Sequence, residues 1–338
     1  MAKITIIGTG LIGTSLGLAL KQSQLKNLDL VGTDAEHTAR SGAQKKGAFH
    51  RVEHRLMSAI EDADIVVLAT PVMAMNELMQ LIGPYLKEGA LVTDVGSTKK
   101  VVLDWADQHL PRTVSFVGGH PMAGKEASGP EAAEADLFQG KVYCVMPSTR
   151  ARPEAVAELV TLVEAIGSKP LFISVDEHDS FVAAVSHLPC LLSVALVGCT
   201  SKSVNWDDIA QLAATGYRDI SRLASGDPVM HRDICLSNPK PIVAWIDAFI
   251  RELQEMRQIL DGDTDSDGEA IKAIFEQAFD ARARWLAGQA NPQARQFNPS
   301  TELPTFAESM GEMFVGRRMM EARKRLLGQW RDSDRKGK

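Results

Sequence analysis

The chain has no paired cysteines. Its four cysteines, Cys144, Cys190, Cys199 and Cys235, stand far apart in 338 residues and none belongs to a C-x-x-C. That spacing offers neither a zinc site nor a dithiol redox motif, and reduced, buried thiols of a cytoplasmic protein are expected instead. A basic surplus is missing too. Lys and Arg number 37 against 43 Asp and Glu, a net charge of -6, so the overall charge favours neither nucleic acid nor an anionic membrane. The apolar run Ile4-Thr5-Ile6-Ile7 after Lys3 stops at a glycine. It is too short for a secretory leader, and no stretch is expected to span a membrane. No metal site is expected.

What is present is an ordinary globular composition, 45% hydrophobic and 24% charged, on a chain long enough for two domains. Ile4 to Ile7 read as a buried parallel strand. Gly8-Thr9-Gly10-Leu11-Ile12-Gly13 follows at once, and a helical pattern continues through Leu16, Leu18 and Leu20. This is G-x-G-x-x-G in its proper setting, a strand before it and a helix after it. Gly8 permits the tight turn, Gly10 lets a pyrophosphate approach the backbone, and Gly13 lets helix and strand pack closely. The helix then presents free N–H groups to the phosphates. A second strand, Leu28 to Thr33, ends at Asp34. A carboxylate there accepts hydrogen bonds from ribose hydroxyls and repels a 2′-phosphate, so NAD is expected, with NADP left open by nearby His37 and Arg40.

Ile65 to Ala69 is the next strand and ends in Thr70-Pro71, both expected at the cofactor. Leu91 to Val95 leads to Gly96-Ser97-Thr98-Lys99, and Val114 to Val117 leads to Gly118-Gly119-His120. Alternating strands and helices predict a doubly wound parallel sheet. Two more strands, Val142 to Met146 and Pro170 to Ser174, flank a helix from Pro153 to Ile166. The nucleotide-binding domain is therefore expected over residues 1–174. Beyond it strand signals stop. An apolar run from Phe181 to Thr200 and helical stretches near 206–214, 227–260 and 267–288 predict an all-helical domain over 175–288. A helix apolar over much of its circumference is buried on several sides, which points to a homodimer formed through this domain. Residues 289–338 read as an Asn/Pro/Gln/Ser-rich linker and a basic helical tail.

Three motif matches fail on their chemistry. Gly119-x4-Gly124-Lys125 resembles a P-loop, but Glu126 stands where a Ser or Thr would meet magnesium. His231-Arg232-Asp233 with Asn238 matches a kinase catalytic loop, yet Asp-Phe-Gly and Ala-Pro-Glu are absent. Asp263-x-Asp265-x-Asp267-Gly268 starts like a calcium loop, but Ile274 takes the place of the bidentate glutamate.

His120 follows a strand at the carboxyl edge of the predicted sheet, where open α/β sheets bind ligands. A neutral imidazole there can take a proton near pH 7. The glycines beside it read as room for cofactor and substrate.

Five segments in order carry a family resemblance. They are Gly8-x-Gly-Leu-Ile-Gly13-x-Ser15, Thr93-Asp94-Val95-Gly96-Ser97-Thr98-Lys99, Gly119-His120-Pro121-Met122-Ala123-Gly124, Ser186-His187-Leu188-Pro189 and Tyr217-Arg218-Asp219-Ile220-Ser221-Arg222. Together they resemble the prephenate/arogenate dehydrogenases of tyrosine biosynthesis, over roughly residues 4 to 260. The resemblance implies a Rossmann domain followed by a helical dimerisation domain. It implies an NAD-dependent oxidative decarboxylation of a cyclohexadienol acid. It makes His120 the base, with Ser97 holding His120 and the nicotinamide, and Arg222 the carboxylate grip. Asp219, three residues before Arg222, would orient it.

Ser97 as a helix N-cap, Lys99 as a solvated helix residue and His187 as a satisfied core histidine are the plainer alternatives. Some relatives carry a second histidine where this chain has Cys190, so the choice of prephenate or arogenate stays open. Glu126 matches a carboxylate near the site entrance. The alternatives of another class are a β-hydroxyacid or imine reductase, which would want a lysine in the helical segment, and a non-catalytic NAD-binding sensor.

Overall fold

The computed structural model describes residues 2–125, 127–262 and 268–290. By contacts the chain divides into two compact units, residues 1–251 and 252–338. The first unit opens with β1 (Ala2–Ile7), α1 (Leu11–Gln22), β2 (Leu28–Thr33), α2 (His37–Lys46) and β3 (Arg51–Glu53). Next come α3 (Leu56–Ile60), β4 (Ile65–Leu68), α4 (Ala74–Ile82), β5 (Leu91–Asp94), α5 (Lys100–His109) and β6 (Ser115–Pro121). β7 (Val142–Pro147), α6 (Pro153–Ala165) and β8 (Lys169–Phe172) complete the α/β part.

The eight strands form one sheet in the order β3-β2-β1-β4-β5-β6-β7-β8. All neighbours are parallel except β6 and β7. Successive side chains on each strand face opposite sides. Ile4, Ile6, Ile65 and Val67 join one apolar core with Leu16 and Leu20 of α1 and Leu159 of α6. Ile7, Val66, Leu68 and Val92 join a second core with Met75 and Met79 of α4 and Val102 of α5. A sheet buried on both faces explains the unbroken β-branched runs. The strand order reverses between β1 and β4, so the crevice at their carboxyl ends is the ligand-binding point of such sheets.

β6 runs further than its apolar stretch suggests. Antiparallel pairing with β7 carries the strand through His120, which lies opposite Cys144. β3 is a three-residue edge strand with no apolar signature.

The helical part begins with α7 (Val175–Val182), a π-turn over Ala183–His187 and α8 (Leu188–Thr200). Ser174 and Glu177 start α7 with a reciprocal capping box. α9 (Trp206–Gln211), α10 (Thr215–Ser221), a 3-10 turn over Arg222–Ser225, α11 (Pro228–Ser237) and α12 (Pro239–Asp261) follow. The stretch expected as one helix over 227–260 is two, because Pro239 cannot continue α11 and Asn238 leaves the helical conformation. The second unit contains α13 (Glu269–Ala290). The anticipated calcium-like turn at 263–267 and the linker and tail from 291 lie outside the described residues.

One expectation is overturned by length. Residues Val175–Thr200 form a continuous helical rod of 26 residues that contains an 18-residue window of mean hydropathy 2.0, long and apolar enough to cross a membrane by those measures. Three residues make it a poor span. His178, Asp179 and His187 are buried on this rod, and Asp179 is bonded to the first turn of α5. The cysteines are all free, as expected, but only Cys144 is buried; Cys190 and Cys235 are partly exposed and Cys199 is exposed.

Candidate active site

The dinucleotide crevice is built by backbone geometry. Gly8 holds φ at +102°, and a Cβ there would collide with the Ala69 carbonyl at the end of β4. A Cβ on Gly13 would strike the Gly8 carbonyl, whereas one on Gly10 would meet nothing within 4 Å. The first and third glycines therefore let α1 and β4 close on the turn, and the second leaves open space. Gly10 supplies no side-chain cap to α1, so the N–H groups around Leu11 and Ile12 remain for an anion.

Asp34 is fixed at the end of β2. Its Oδ2 accepts from the Thr9 N–H at 2.6 Å and its Oδ1 from the Glu36 N–H at 2.9 Å. Arg40 donates to the carbonyls of Asp34 and Ala35 at 2.5 and 2.8 Å, so its guanidinium lies against the same turn. Across the crevice the Thr70 hydroxyl is buried without a hydrogen-bond partner among the described residues, beside exposed Pro71. An orphaned hydroxyl, an open glycine and an uncapped helix start at the sheet's switch point fit a dinucleotide.

Ser97 and His120 end neighbouring strands. Ser97 is half-buried and does not cap α5. The N-cap position belongs to Lys99, with no side-chain cap of its own. The cap comes from the helical part. Asp179 accepts the Lys99 N–H on Oδ1 at 2.9 Å and the Lys100 N–H on Oδ2 at 2.8 Å. Burial raises the Asp179 carboxyl, but hydrogen bonds from His178 and from these two amides outweigh it and hold the group below its usual range.

Lys99 is not a solvated helix residue. Its side chain is wholly buried and paired with the equally buried Asp94. Asp94 also accepts the N–H groups of Gly96 and Gly119 at 2.8 and 3.2 Å. The glycines before His120 serve this close approach rather than making room for ligands. A Cβ on Gly119 would lie 2.5 Å from the Asp94 carbonyl oxygen and 2.7 Å from the Tyr143 hydroxyl. Only Gly124, further along, faces open space.

His120 is partly exposed, and its Nδ1 lies 2.8 Å from Nε2 of buried His178. His178 Nδ1 in turn lies 2.9 Å from Asp179 Oδ1. Burial, then the nearby Lys99 cation, then His178 and His187 push the His120 imidazole well below the usual histidine value. It is a neutral ring at physiological pH, free to accept a proton. His178 and Asp179 carry no motif that sequence reasoning singled out.

His187 sits at the end of the π-turn, 3% exposed, and its Nε2 has no partner among the described residues. The Asn238 amide donates to the Asp179 carbonyl at 2.7 Å, which orients it, and its nitrogen lies 3.4 Å from His187 Nδ1. Nδ1 is then the acceptor and Nε2 carries the hydrogen. Burial pushes the ring down to about 4, so His187 is a neutral donor.

Arg222 opens the 3-10 turn after α10 and is exposed. Ser193 pins that turn to α8 by donating to the Ile220 carbonyl at 2.7 Å and accepting from the Ala224 N–H at 3.1 Å. Asp219 is exposed on α10, and among the described residues no ion pair joins it to Arg222. Glu126 lies outside the described residues. Cys190 packs 3.4 Å from His231 Nε2 and 4.0 Å from the Leu223 carbonyl. The kinase-like residues are structural. Asp233 accepts the Met73 N–H at 3.3 Å at the start of α4, and Asn238 donates to the Asp179 carbonyl at 2.7 Å.

Among the described residues no group of three His, Cys, Asp or Glu side chains is arranged to hold a metal. The chemistry available at the strand ends is a neutral base, His120, with a neutral donor, His187, near it; the Arg222 guanidinium is carried separately on the 3-10 turn pinned to α8.

Comparison with known proteins agrees with this geometry. Residues 16–171 match the family model described as prephenate dehydrogenase, nucleotide-binding domain, and residues 174–277 the one described as prephenate dehydrogenase, dimerization domain. The chain is 36% identical over 281 residues to prephenate dehydrogenase of Bacillus subtilis, covering 82% of this chain and 75% of that protein. It is 30% identical to cyclohexadienyl dehydrogenase of Zymomonas mobilis, covering 82% and 94%. Prephenate dehydrogenase from A. aeolicus, crystallised with hydroxyphenyl propionate and NAD+, superposes with a TM-score of 0.77 at 27% identity, covering 84% of this chain and 98% of that one.

Proposed function

The chain belongs to the prephenate dehydrogenase family, and on that premise we propose that it oxidatively decarboxylates a cyclohexadienol acid, prephenate or arogenate, with His120 as base. It is an NAD-dependent enzyme of that family. The observation that carries the assignment of the base is the neutral His120 imidazole at the end of β6.

The dinucleotide is held by the Gly8–Gly13 turn, the start of α1 at Leu11 and Ile12, Asp34, Thr70 and Pro71. When bound it would supply the acceptor for the hydride of the ring carbon. His120 takes the proton of the ring hydroxyl as that hydride leaves. Loss of the ring carboxylate as CO2 then sends its electron pair through the ring to the carbonyl oxygen formed in the oxidation. The resulting phenolate takes back a proton, so the proton held by His120 is returned and the reaction balances as substrate plus NAD+ to phenol, CO2 and NADH.

Arg222 binds the side-chain carboxylate, for which a permanently charged planar fork is suited. His187 donates from Nε2 to a substrate oxygen, and Ser97 donates beside His120. Asp219 and Glu126 tune the charge around Arg222 and the mouth of the site. Prephenate would yield 4-hydroxyphenylpyruvate and arogenate tyrosine.

The enzyme acts in the cytoplasm as a homodimer formed through the helical domain, with 1–174 and 175–288 as working domains. Support for the dimer is the exposed apolar patch of Val194, Ala195 and Cys199 on α8. Mass analysis of the organic product made from each substrate tests the reading. A phenol lighter than its substrate by CO2 and two hydrogens supports it, and recovery of unchanged prephenate and arogenate overturns it.

A further inference from the structure

The three-residue line from His120 through His178 to Asp179 has a defined proton order. Asp179 is a carboxylate and can only accept, so His178 Nδ1 must carry a hydrogen to make the 2.9 Å contact. A neutral His178 then has its lone pair on Nε2. The 2.8 Å contact requires His120 Nδ1 to donate to it. That leaves the lone pair of His120 on Nε2, the ring nitrogen turned away from His178.

We infer that His178 and Asp179 are positioning residues that fix His120 in the tautomer able to accept the substrate's proton at Nε2. The inference rests on His120 being the base of the proposed reaction. Three observations favour it over simple packing. His178 is 1% exposed and uses both ring nitrogens within this line. The two imidazoles meet edge to face, centroids 5.1 Å apart at 73°, so the contact is directional rather than stacked. Asp179 is itself held by the first amides of α5, which fixes the far end of the line to the nucleotide-binding part.

The line also handles charge. The groups facing His120 are Lys99, His178 and His187. A proton arriving on Nε2 would create a cation near Lys99. The Nδ1 hydrogen already points at His178 Nε2, and its transfer there moves the positive charge to the ring bonded to Asp179. One proton enters at Nε2, one passes from Nδ1 to His178, and the new cation is matched by the existing carboxylate.

The test uses the full chain with 15N-labelled histidine, its eight histidines resolved by comparison with the His120→Asn protein. His120 should show a protonated Nδ1 and an unprotonated Nε2 at neutral pH. In His178→Leu the preference should relax and kcat should fall about 10²-fold, with KM and NAD binding unchanged. His178→Gln, whose amide oxygen can accept from His120 Nδ1 while its NH2 meets Asp179, should restore the tautomer preference and part of kcat, the remainder being the charge transfer that only an imidazole supplies. Wild-type His120 protonated on Nε2, or a folded His178→Leu enzyme with wild-type kcat, overturns the inference. If His178→Leu fails to fold, the wild-type spectrum still decides. A wild-type protein inactive on both substrates would instead defeat the proposed reaction, and the tautomer would remain measurable.

Discussion

Lys99 and Asp94 form an ion pair in which neither side chain reaches solvent. Asp94 spends its other contacts on the Gly96 and Gly119 amides, so one buried pair ties together the strand ends that present Ser97 and His120. Removing one partner of such a pair strands the other charge, at a cost of about 3–5 kcal/mol. Lys99→Met should lose stability on that scale in urea denaturation. In whatever fraction folds, the acid limb of the activity profile should move to higher pH. Burial is the first cause holding His120 low and the Lys99 charge is the second.

Gly119 and Gly124 flank His120 but face different surroundings. Gly119→Ala forces a Cβ against the Asp94 carbonyl and the Tyr143 hydroxyl. Overpacking of this kind costs about 1–3 kcal/mol and displaces the strand carrying the base. Gly124→Ala meets nothing within 4 Å and should leave the melting temperature and kcat near wild type. Thermal melts and initial rates on the two variants check the contrast.

The histidines predict an acid-side loss with a definite sign. His187 has a folded value of about 4 against an ordinary 6.5. The unfolded chain therefore takes the proton first as pH falls, and His187 stabilises the fold above 6.5 and loses that contribution between 6.5 and about 4. Melting temperature plotted against pH should fall more steeply across that window in wild type than in His187→Gln. His120, depressed in the same direction, places the acid limb of kcat/KM below the ordinary histidine value.

Asp34 stands where the adenosine ribose would lie, with Arg40 folded onto the same turn. Asp34→Ser removes the charge that repels a 2′-phosphate and leaves Arg40 in place. The NADP to NAD ratio of kcat/KM should rise by about 10-fold or more, the equivalent of roughly 1.4 kcal/mol. Steady-state kinetics with both dinucleotides decides it.

Val194 is 46% exposed on α8, beside exposed Ala195. Light scattering should give a dimer for wild type, and Val194→Asp should shift it toward monomer. A wild-type monomer at micromolar concentration would remove the homodimer.

The alternation of strands and helices was legible because a doubly covered sheet needs continuous apolar strands, and Ile4–Ile7, Ile65–Leu68 and Leu91–Asp94 have the buried faces that rule demands. The glycine turn was legible because its neighbours on both sides are diagnostic. β3 was not, since Arg51–Glu53 is a three-residue edge strand without an apolar run, held by backbone pairing with β2 and by the Arg51–Asp29 ion pair. Nor was the environment of Lys99. A lysine at a helix start reads as solvated, and its burial follows from Asp94, five residues away in sequence, meeting it across a strand end. His178 and Asp179 escaped notice for a related reason. Their partners lie 58 and 80 residues earlier, and nothing local in Asp176-Glu177-His178-Asp179 distinguishes a positioned pair from a charged helix start.

The central claim is that His120 is the base of an NAD-dependent oxidative decarboxylation. Its most direct test is the appearance of reduced nicotinamide when purified protein is mixed with NAD and either prephenate or arogenate, run beside His120→Asn. The account predicts NADH formed together with an equal amount of CO2 by wild type. It predicts a rate about 10²–10⁴-fold lower for His120→Asn, which should bind NAD as tightly as wild type. Wild-type protein that reduces neither NAD nor NADP with either substrate, or a His120→Asn protein of full activity, would contradict it.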